Sequence, residues 1–271
     1  MAIDKPKPDF VDTDVTGEDY PFILPDPPKT IRTLDIDDVE RARRYRGLYG
    51  GCVSDALWLS GIVNTILSHD LKPLKEHDII AGRCLPIKWH SLAPETHMTE
   101  AEKDARHLKW QKEDSPQKQM MKAIKPGSVL VFDVGGDMQA AQFGEMSCNL
   151  AQSRGCVGVV NSGRTRDTQY IFKLGDFPYF TRGTTPNFYG GWRVQDVNAP
   201  IHMPGHLTHY VVVSPGDFIF GDDDGLQIIP EKFVDEVLIR AEEILAFENA
   251  EREAIRNGMP IDEVYGTYGD L

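Results

Sequence analysis

The stretches SVLVFD (residues 128–133) and GEMSCNLAQSRGCVGVV (residues 144–160) decide the fold. The first is an apolar run of strand length. The second begins with helical spacing, reaches a glycine stop at Gly155, and continues into another apolar run, CVGVV (156–160). This order predicts two parallel strands joined by a right-handed helical crossover. The fold class is therefore α/β.

The loops that follow these two strands are the first place to look for chemistry. In a parallel sheet, loops after the carboxyl ends of neighbouring strands lie side by side. Gly144 and Glu145 should therefore lie near Arg166 and Asp167 of the loop NSGRTRD (161–167). The start of the helix offers free N–H groups to an anion, and Arg166 adds a charged, two-pronged donor. Asp167 and Glu145 offer oxygen ligands to Mg²⁺ or Mn²⁺.

An anion site with an arginine beside a divalent metal would suit a 2-oxo acid, because the carboxylate and keto oxygen of such a substrate can chelate a metal. Such a site would stabilise an enolate. The Arg-Asp pair can also be interpreted as an ordinary surface ion pair or turn, and spacing alone leaves both interpretations open.

Two other clusters have weaker signals. GDDDG (221–225) lies between two apolar runs, which favours a hairpin turn over a metal cluster. His202, His206 and His209 flank a proline-glycine turn and lack a partnering cysteine or carboxylate, which favours a structural or surface role.

The remaining chain is predicted to form one domain from residue 36 to residue 271, with parallel and antiparallel strands covered by helices. Residues 1–35 are rich in proline and aspartate and predict an extended arm, either loose or laid over a neighbouring subunit. Residues 90–115 are polar and predict an insertion made of loop and a short helix. The segment 232–258 predicts a long amphipathic helix that ends at Gly258. A second helix is expected over 52–67, with Ser54 or Asp55 near its start as the cap.

Composition narrows the class of partner. The formal net charge is −13 and basic residues are scattered, which argues against nucleic acid as a partner and against an anionic membrane surface. No run approaches the length of a membrane span, and the first ten residues lack a signal peptide's apolar core. The four separated cysteines are typical of buried, reduced thiols, so a cytoplasmic location is expected.

With these residues identified, the sequence resembles the 4-hydroxy-4-methyl-2-oxoglutarate aldolase family, whose fold family also contains the regulator-of-ribonuclease-activity-A proteins. The resemblance runs from about Asp37 to Gly258. It is carried in order by VSDAL, PGSVLVFDVGGD, GEMSCNLAQSRGCVGVVNSGRTRD, FPYFTRGTTP, VNAPI and SPGDFIFGDDDGLQIIP. The spaced set Gly144, Arg166 and Asp167 is its most specific part.

The resemblance implies a single-domain, swivelling β/β/α fold that assembles as a trimeric ring or a dimer of trimers. It implies a lyase that uses Mg²⁺ or Mn²⁺ on a small 2-oxo acid, by aldol cleavage releasing pyruvate or by oxaloacetate-type decarboxylation. Arg166 would bind the substrate and stabilise the enolate, Asp167 would hold the metal, and Glu145 would orient metal-bound water. Backbone amides of Met146 and Ser147, at the helix start beside Gly144, would hold the carboxylate.

The sequence departs from the family pattern at one position, because Tyr170 stands where an acid is expected three residues after Asp167. Family members also bring a glutamate from a neighbouring subunit's last helix towards the metal, for which Glu242, Glu243 and Glu248 are candidates. Two alternatives remain: a dehydratase or hydrolase of a sugar-derived 2-oxo acid on the same metal site, and a non-catalytic regulator that binds a ribonuclease.

Overall fold

The computed structural model describes residues 24–92, 99–112 and 115–269. The strands are β1 Lys72–Pro73, β2 Ile80–Ser91, β3 Ser128–Asp133, β4 Cys156–Asn161, β5 Tyr179–Thr181, β6 Trp192–Val197, β7 Ile201–Pro204, β8 Tyr210–Val213, β9 Phe218–Gly221 and β10 Leu226–Ile229. Eight of them form a central mixed sheet in the order β1-β5-β4-β3-β2-β9-β10, with β6 paired to β2 outside this path. A separate two-stranded sheet contains β7 and β8.

The helices flank the large sheet, and a long helix follows the last strand. They are α1 Asp38–Tyr45, α2 Gly50–Leu59, α3 Glu100–Lys112, α4 Pro116–Ala123, α5 Glu145–Ser153, α6 Thr168–Ile171, α7 Val234–Arg256 and α8 Ile261–Tyr268. None of the helices described is long and apolar enough to cross a membrane.

The strand-helix-strand prediction is confirmed. Strands β3 and β4 pair in parallel, joined through α5, and β2 and β5 extend the parallel set on either side. Gly155 follows α5 with φ +94°, a conformation that only glycine adopts without strain. The parallel set places the loops after β3 and β4 side by side at one edge of the sheet, as the sequence predicted. The loop after β5 joins them there, because the Thr165 N–H donates to the Gly183 carbonyl at 3.1 Å.

Alternation along β3 divides the core into two faces of the sheet. Leu130 and Phe132 pack with residues of α4 and α5, including Met120 and Cys148. Val129 and Val131 pack instead with buried residues of the β7–β8 hairpin, which are Ile201, Met203, Val211 and Val213. A third cluster joins α1, α2 and α7 to the inward residues of β9. The period-two placement of strand side chains explains this layering.

The predicted long helix is confirmed as α7, with its apolar stripe buried and Gly258 following it at φ +81°, and the short helix α8 comes after it. The cap prediction for the earlier helix is wrong. Helix α2 begins at Gly50 after Tyr49, so Ser54 and Asp55 lie in its interior, and the helix ends at Leu59. Because the two glycines before Cys52 have little helix propensity, the local pattern placed the start too late.

Two predicted appendages lie partly outside the described residues. Of the arm, residues 1–23 are outside them, while Arg32 and Leu34 donate backbone hydrogen bonds to Glu236 and Asp235 of α7 in the same chain. In the predicted insertion, β2 extends to Ser91 and α3 is a helix of 13 residues, longer than the short helix expected. Residues 93–98 and 113–114 of that insertion are outside the described part.

All four cysteines are free and buried, as the sequence predicted. Burial raises the pKa of the Cys52 and Cys156 thiols to about 11, so both stay protonated near neutral pH. These thiols therefore act as small core side chains.

Candidate active site

Hydrogen bonds join two loops at the carboxyl edge of the parallel strands. The first loop follows β3 (residues 134–144) and the second follows β4 (residues 162–167). The Gln142 N–H donates to the Arg164 carbonyl at 3.2 Å, and the Arg164 N–H donates to the Gln142 side-chain oxygen at 3.1 Å. The buried Thr165 hydroxyl donates to the Phe143 carbonyl at 2.6 Å. These bonds hold the two loops together, so Gly144 in the first loop lies beside Arg166 and Asp167 in the second.

Gly144 lies at the point of closest approach between the loops. A Cβ atom there would overlap Asp167 Oδ2 and would lie 3.2 Å from Arg166 Cγ. The backbone of Gly144 is extended, with φ −101° and ψ −171°, which any residue can adopt. Glycine is therefore needed here for space, and this space allows Arg166 and Asp167 to reach the start of α5.

Arg166 and Asp167 form a loose, half-exposed pair. Arg166 Nε lies 3.5 Å from Asp167 Oδ2, and their side chains are 38% and 45% exposed. Asp167 has φ +62°, a left-handed conformation that aspartate tolerates better than most residues. Its side chain makes no capping hydrogen bond to α6, which it precedes. The carboxylate is therefore free to bind a ligand.

The start of α5 is open. Gly144 supplies no side-chain cap, so N–H groups of the first turn are available to an anion. Met146 is 76% exposed, while Ser147 is half-buried. A negative group bound here would interact favourably with the helix dipole and with Arg166 together.

Glu145 lies at the start of α5, but it makes only part of the contacts that the sequence predicted. It is half-buried in the first turn of α5 and accepts a hydrogen bond from Asn149 at 3.3 Å. The expected contact of Glu145 with Arg166 is absent from the ion pairs between described residues, where Arg166 pairs with Asp167. Glu145 and Asp167 nevertheless both raise the pKa of Cys148, after the larger effect of that thiol's burial, so both carboxylates lie near this side chain.

The oxygen donors suit a hydrated Mg²⁺ or Mn²⁺ ion. Within 24–92, 99–112 and 115–269, no three side chains of histidine, cysteine or acid converge on one point. A closed zinc-type site is therefore not formed by these residues of one chain. Mg²⁺ commonly binds one or two carboxylates and keeps several waters, which Asp167 with Glu145 nearby can satisfy.

Phe188 is a site residue that sequence analysis missed. The Arg166 guanidinium lies 5.3 Å from the centre of the Phe188 ring, and Phe188 is 66% exposed. The ring supports the guanidinium from one face and leaves its N–H edge free. Phe188 also bridges to Ala141 of the first loop. Only an aromatic residue after the quoted FPYFTRGTTP segment hinted at it, and no local spacing connects residues 166 and 188.

Gly135 and Gly136 have a conformational role. Their φ values are +66° and +82°, so both occupy the left-handed region, where glycine avoids strain. A Cβ on either would meet no atom within 4 Å, so space is not the reason for these glycines.

The remaining predicted residues have partners or positions of their own. Tyr170 is 57% exposed, with the Lys173 ammonium 4.1 Å from its ring centre. The three C-terminal glutamates bind arginines of the same chain: Glu242 pairs with Arg44, Glu243 with Arg32, and Glu248 with Arg252. The GDDDG segment is the hairpin turn between β9 and β10, as predicted.

Fold and site together define a mixed α/β protein with an open helix start beside a half-exposed Arg-Asp pair at one edge of the sheet. The sequence profile of the RraA-like family, described as Aldolase/RraA, matches residues 51–228. The chain belongs to the RraA-like family, which confirms the resemblance seen in the sequence.

Similar proteins differ in the activities their names assign. A Halalkalibacterium halodurans protein, provisionally named 4-hydroxy-4-methyl-2-oxoglutarate aldolase, is 29% identical over 84% of this chain and 94% of its own length. A solved structure described as a cellulase from gut-associated microbes has a TM-score of 0.66 at 26% identity, covering 82% of this chain and 90% of that one. RraAS2 of Streptomyces coelicolor, described as an unusual member of the RNase ES inhibitor RraA family, has a TM-score of 0.63 at 22% identity. It covers 81% of this chain and 99% of its own, and shows the same fold.

Proposed function

We propose that the chain is a divalent-metal-dependent lyase that breaks a carbon–carbon bond of a 2-oxo acid, by aldol cleavage that releases pyruvate or by oxaloacetate-type decarboxylation. The observation that carries this proposal is the convergence of Arg166, Asp167 and the open start of α5 around Gly144. The name of the Halalkalibacterium halodurans relative supports the same substrate class.

Different residues of the site bind different groups of the substrate. The first-turn N–H groups at Met146 and Ser147 receive the carboxylate, where the helix dipole favours negative charge. Arg166, steadied by Phe188, donates to the keto oxygen. When the bond between C3 and C4 breaks, C4 leaves as a carbonyl compound whose hydroxyl proton passes to solvent, or as CO₂. The electron pair moves into the enolate, and the growing charge on the keto oxygen strengthens its hydrogen bonds to Arg166. This difference between ground state and transition state lowers the barrier. A proton from solvent then adds to C3 and gives pyruvate.

Asp167, with Glu145 beside it, would hold the metal. When bound, Mg²⁺ or Mn²⁺ supplies Lewis-acid stabilisation of the enolate. Asp167 suits this role because its carboxylate is 45% exposed and its ion pair with Arg166 is long. A tightly paired carboxylate would have to lose an arginine before it could bind a cation.

We also propose that the chain acts as a homotrimer or a dimer of trimers in the cytoplasm. Large apolar side chains beside the site are exposed in the single chain, notably Met146 at 76%, Tyr170 at 57% and Leu150 at 51%. Contiguous exposed apolar surface is typical of a contact with another protein molecule. Light scattering that gave the mass of a monomer would refute the assembly.

Deuterium exchange at the methyl group of pyruvate in D₂O, followed by NMR, tests the chemistry before the full substrate is known. Exchange requires loss of a methyl proton to form the enolate and return of a deuteron from solvent. We expect exchange that depends on Mg²⁺ or Mn²⁺ and is lost in Arg166→Ala. Arg43→Ala is the matched control, because Arg43 pairs with Glu40 on α1 and is 71% exposed.

The two alternative functions predict results that differ from those of a pyruvate-releasing lyase. A dehydratase or hydrolase of a sugar-derived 2-oxo acid would convert its substrate without releasing pyruvate. A ribonuclease regulator would show no exchange with either metal and would bind a ribonuclease in a pull-down. Metal-independent exchange, or exchange retained in Arg166→Ala, would contradict the proposed site.

A further inference from the structure

Two histidines that are remote in sequence meet on the surface of the molecule. His69 Nε2 and His206 Nε2 lie 3.2 Å apart, and both side chains are exposed. The ring centres are 3.8 Å apart and the ring planes are inclined by 56°. His69 precedes β1, whereas His206 lies in the turn between β7 and β8, so the tertiary fold creates this pair.

The backbone holds both histidines in place before any ligand binds. The His206 N–H donates to the Ile66 carbonyl at 3.1 Å, and the Ser68 N–H donates to the Pro204 carbonyl at 2.9 Å. Between these bonds, Leu67 forms an antiparallel bridge with Gly205. Leu67 is 1% exposed and anchors this short ladder in the core. The two rings therefore project from a connection that is already ordered, which lowers the entropic cost of binding a ligand.

The spacing of the two nitrogens suits a shared metal ion. Two imidazole nitrogens bound to one tetrahedral ion at about 2.0–2.1 Å lie roughly 3.3 Å from each other. The observed separation of 3.2 Å is close to this value. The ring centres are 3.8 Å apart, closer than the roughly 5 Å of two imidazoles that direct their nitrogens at one tetrahedral ion. Both side chains are exposed and can rotate, so binding requires the rings to splay while the two nitrogens keep nearly their present separation.

We propose that His69 and His206 bind a transition-metal cation of the Zn²⁺, Ni²⁺ or Cu²⁺ type, with water completing the coordination. Imidazole favours these ions over Mg²⁺, so this site is chemically distinct from the carboxylate site at Asp167. Asp70, next in sequence, is held by Arg182 at 2.7 Å. A bound ion would join the β7–β8 hairpin to the segment before β1 and would stabilise the layer that covers β3.

Calorimetric titration of the full chain with Zn²⁺, after removal of metals with a chelator, tests the site. All proteins carry Asp167→Asn, so that the carboxylate site does not contribute. We expect one saturable binding event in this parent, its loss in His69→Ala and in His206→Ala, and its retention in His209→Ala. His209 is the matched control because it is exposed in the same turn. Mg²⁺ should give no event that depends on either histidine of the pair.

Electron paramagnetic resonance with Cu²⁺ adds a readout that a change in folding does not mimic. Coupling to two imidazole nitrogens is expected in the parent and in His209→Ala, and coupling to no more than one is expected when either His69 or His206 is replaced. Absence of saturable Zn²⁺ binding in the parent would overturn the proposal. Equal binding by all variants, or loss in His209→Ala as large as in the pair variants, would also overturn it.

Discussion

Charged residues are paired in opposite ways in two regions of this molecule. On α7, Glu236 is 1% exposed, accepts three hydrogen bonds from Arg32 at 2.9–3.0 Å and receives a fourth from Arg240 at 2.6 Å. At the carboxyl edge of the sheet, Arg166 and Asp167 are more than one-third exposed and 3.5 Å apart. The first carboxylate is saturated by its own chain, while the second is available.

The difference separates stability from function. A buried carboxylate must be fully paired, because an unpaired buried charge is strongly destabilising. A half-exposed carboxylate beside a guanidinium costs little when its pair is loose, and it retains the capacity to bind a metal or substrate. Changes on α7 should therefore affect unfolding, whereas changes at the sheet edge should affect the reaction.

The largest effect on stability is expected from Glu236→Gln. This change leaves Arg240 without its charged partner and Arg32 with the exposed Glu243 alone, at a cost of roughly 2–3 kcal/mol, reduced from the fully buried case because Arg32 is 39% exposed. Thermal unfolding followed by circular dichroism should show a clear fall in Tm. Glu40→Gln is the control, because Glu40 pairs with Arg43 at the surface and its loss should leave Tm unchanged. Equal falls in Tm in Glu236→Gln and Glu40→Gln would contradict the proposed role of the buried Glu236 pairs in stability.

Asp167→Asn should lower activity and leave stability unchanged, the reverse of what is expected for Glu236→Gln. Asparagine tolerates the left-handed backbone at φ +62°, so the fold and Tm should be retained. Loss of the charged metal ligand should slow deuterium exchange of pyruvate by at least about a hundredfold, comparable to loss of a major electrostatic contact in an active site. Full activity in the presence of excess Mg²⁺ would show that this carboxylate is not the metal ligand.

Acid should weaken the paired region on α7. Burial alone would raise the pKa of Glu236, but hydrogen bonds from Arg32 and Arg240 outweigh it and lower the pKa from 4.5 to about 2. Because the folded-state pKa is depressed, this stabilisation is present above pH 4.5 and is lost as pH falls towards 2. The loss should be on the order of 2 kcal/mol over that window. Urea titrations at successive pH values should show a weaker acid dependence in Glu236→Gln than in the wild type.

Gly144→Ala should give a smaller effect, confined to the reaction. The new methyl group would displace Asp167 and Arg166 without straining its own extended backbone, and about a tenfold loss of exchange is expected. Gly266→Ala is the matched control, because a Cβ there meets nothing within 4 Å and the position is helical. The control should retain activity and gain slightly in Tm. Normal exchange in Gly144→Ala would mean that the close approach of the loops has no catalytic role.

Local sequence patterns predicted the elements that depend on neighbouring residues. SVLVFD became β3 with the predicted bounds, and Gly155 and Gly258 follow helices in left-handed conformations. The meeting of the loops at Gly144 followed from the rule for parallel sheets. Local patterns did not predict the start of α2, because the weak helix propensity of Gly50 and Gly51 hid a turn of helix that tertiary packing stabilises. They also failed to identify Phe188, because stacking on Arg166 depends on the path of a later loop.

The sequence by itself determined the α/β class, the strand-helix-strand unit and the residues that border the site, because periodicity and glycine stops act over a few neighbouring residues. Only the tertiary structure decided which charges are saturated and which are free. Arg32 meets Glu236 across 204 residues, and His69 meets His206 across 137. Such contacts depend on how separate elements pack and on the distances that packing creates, which no local pattern of residues encodes.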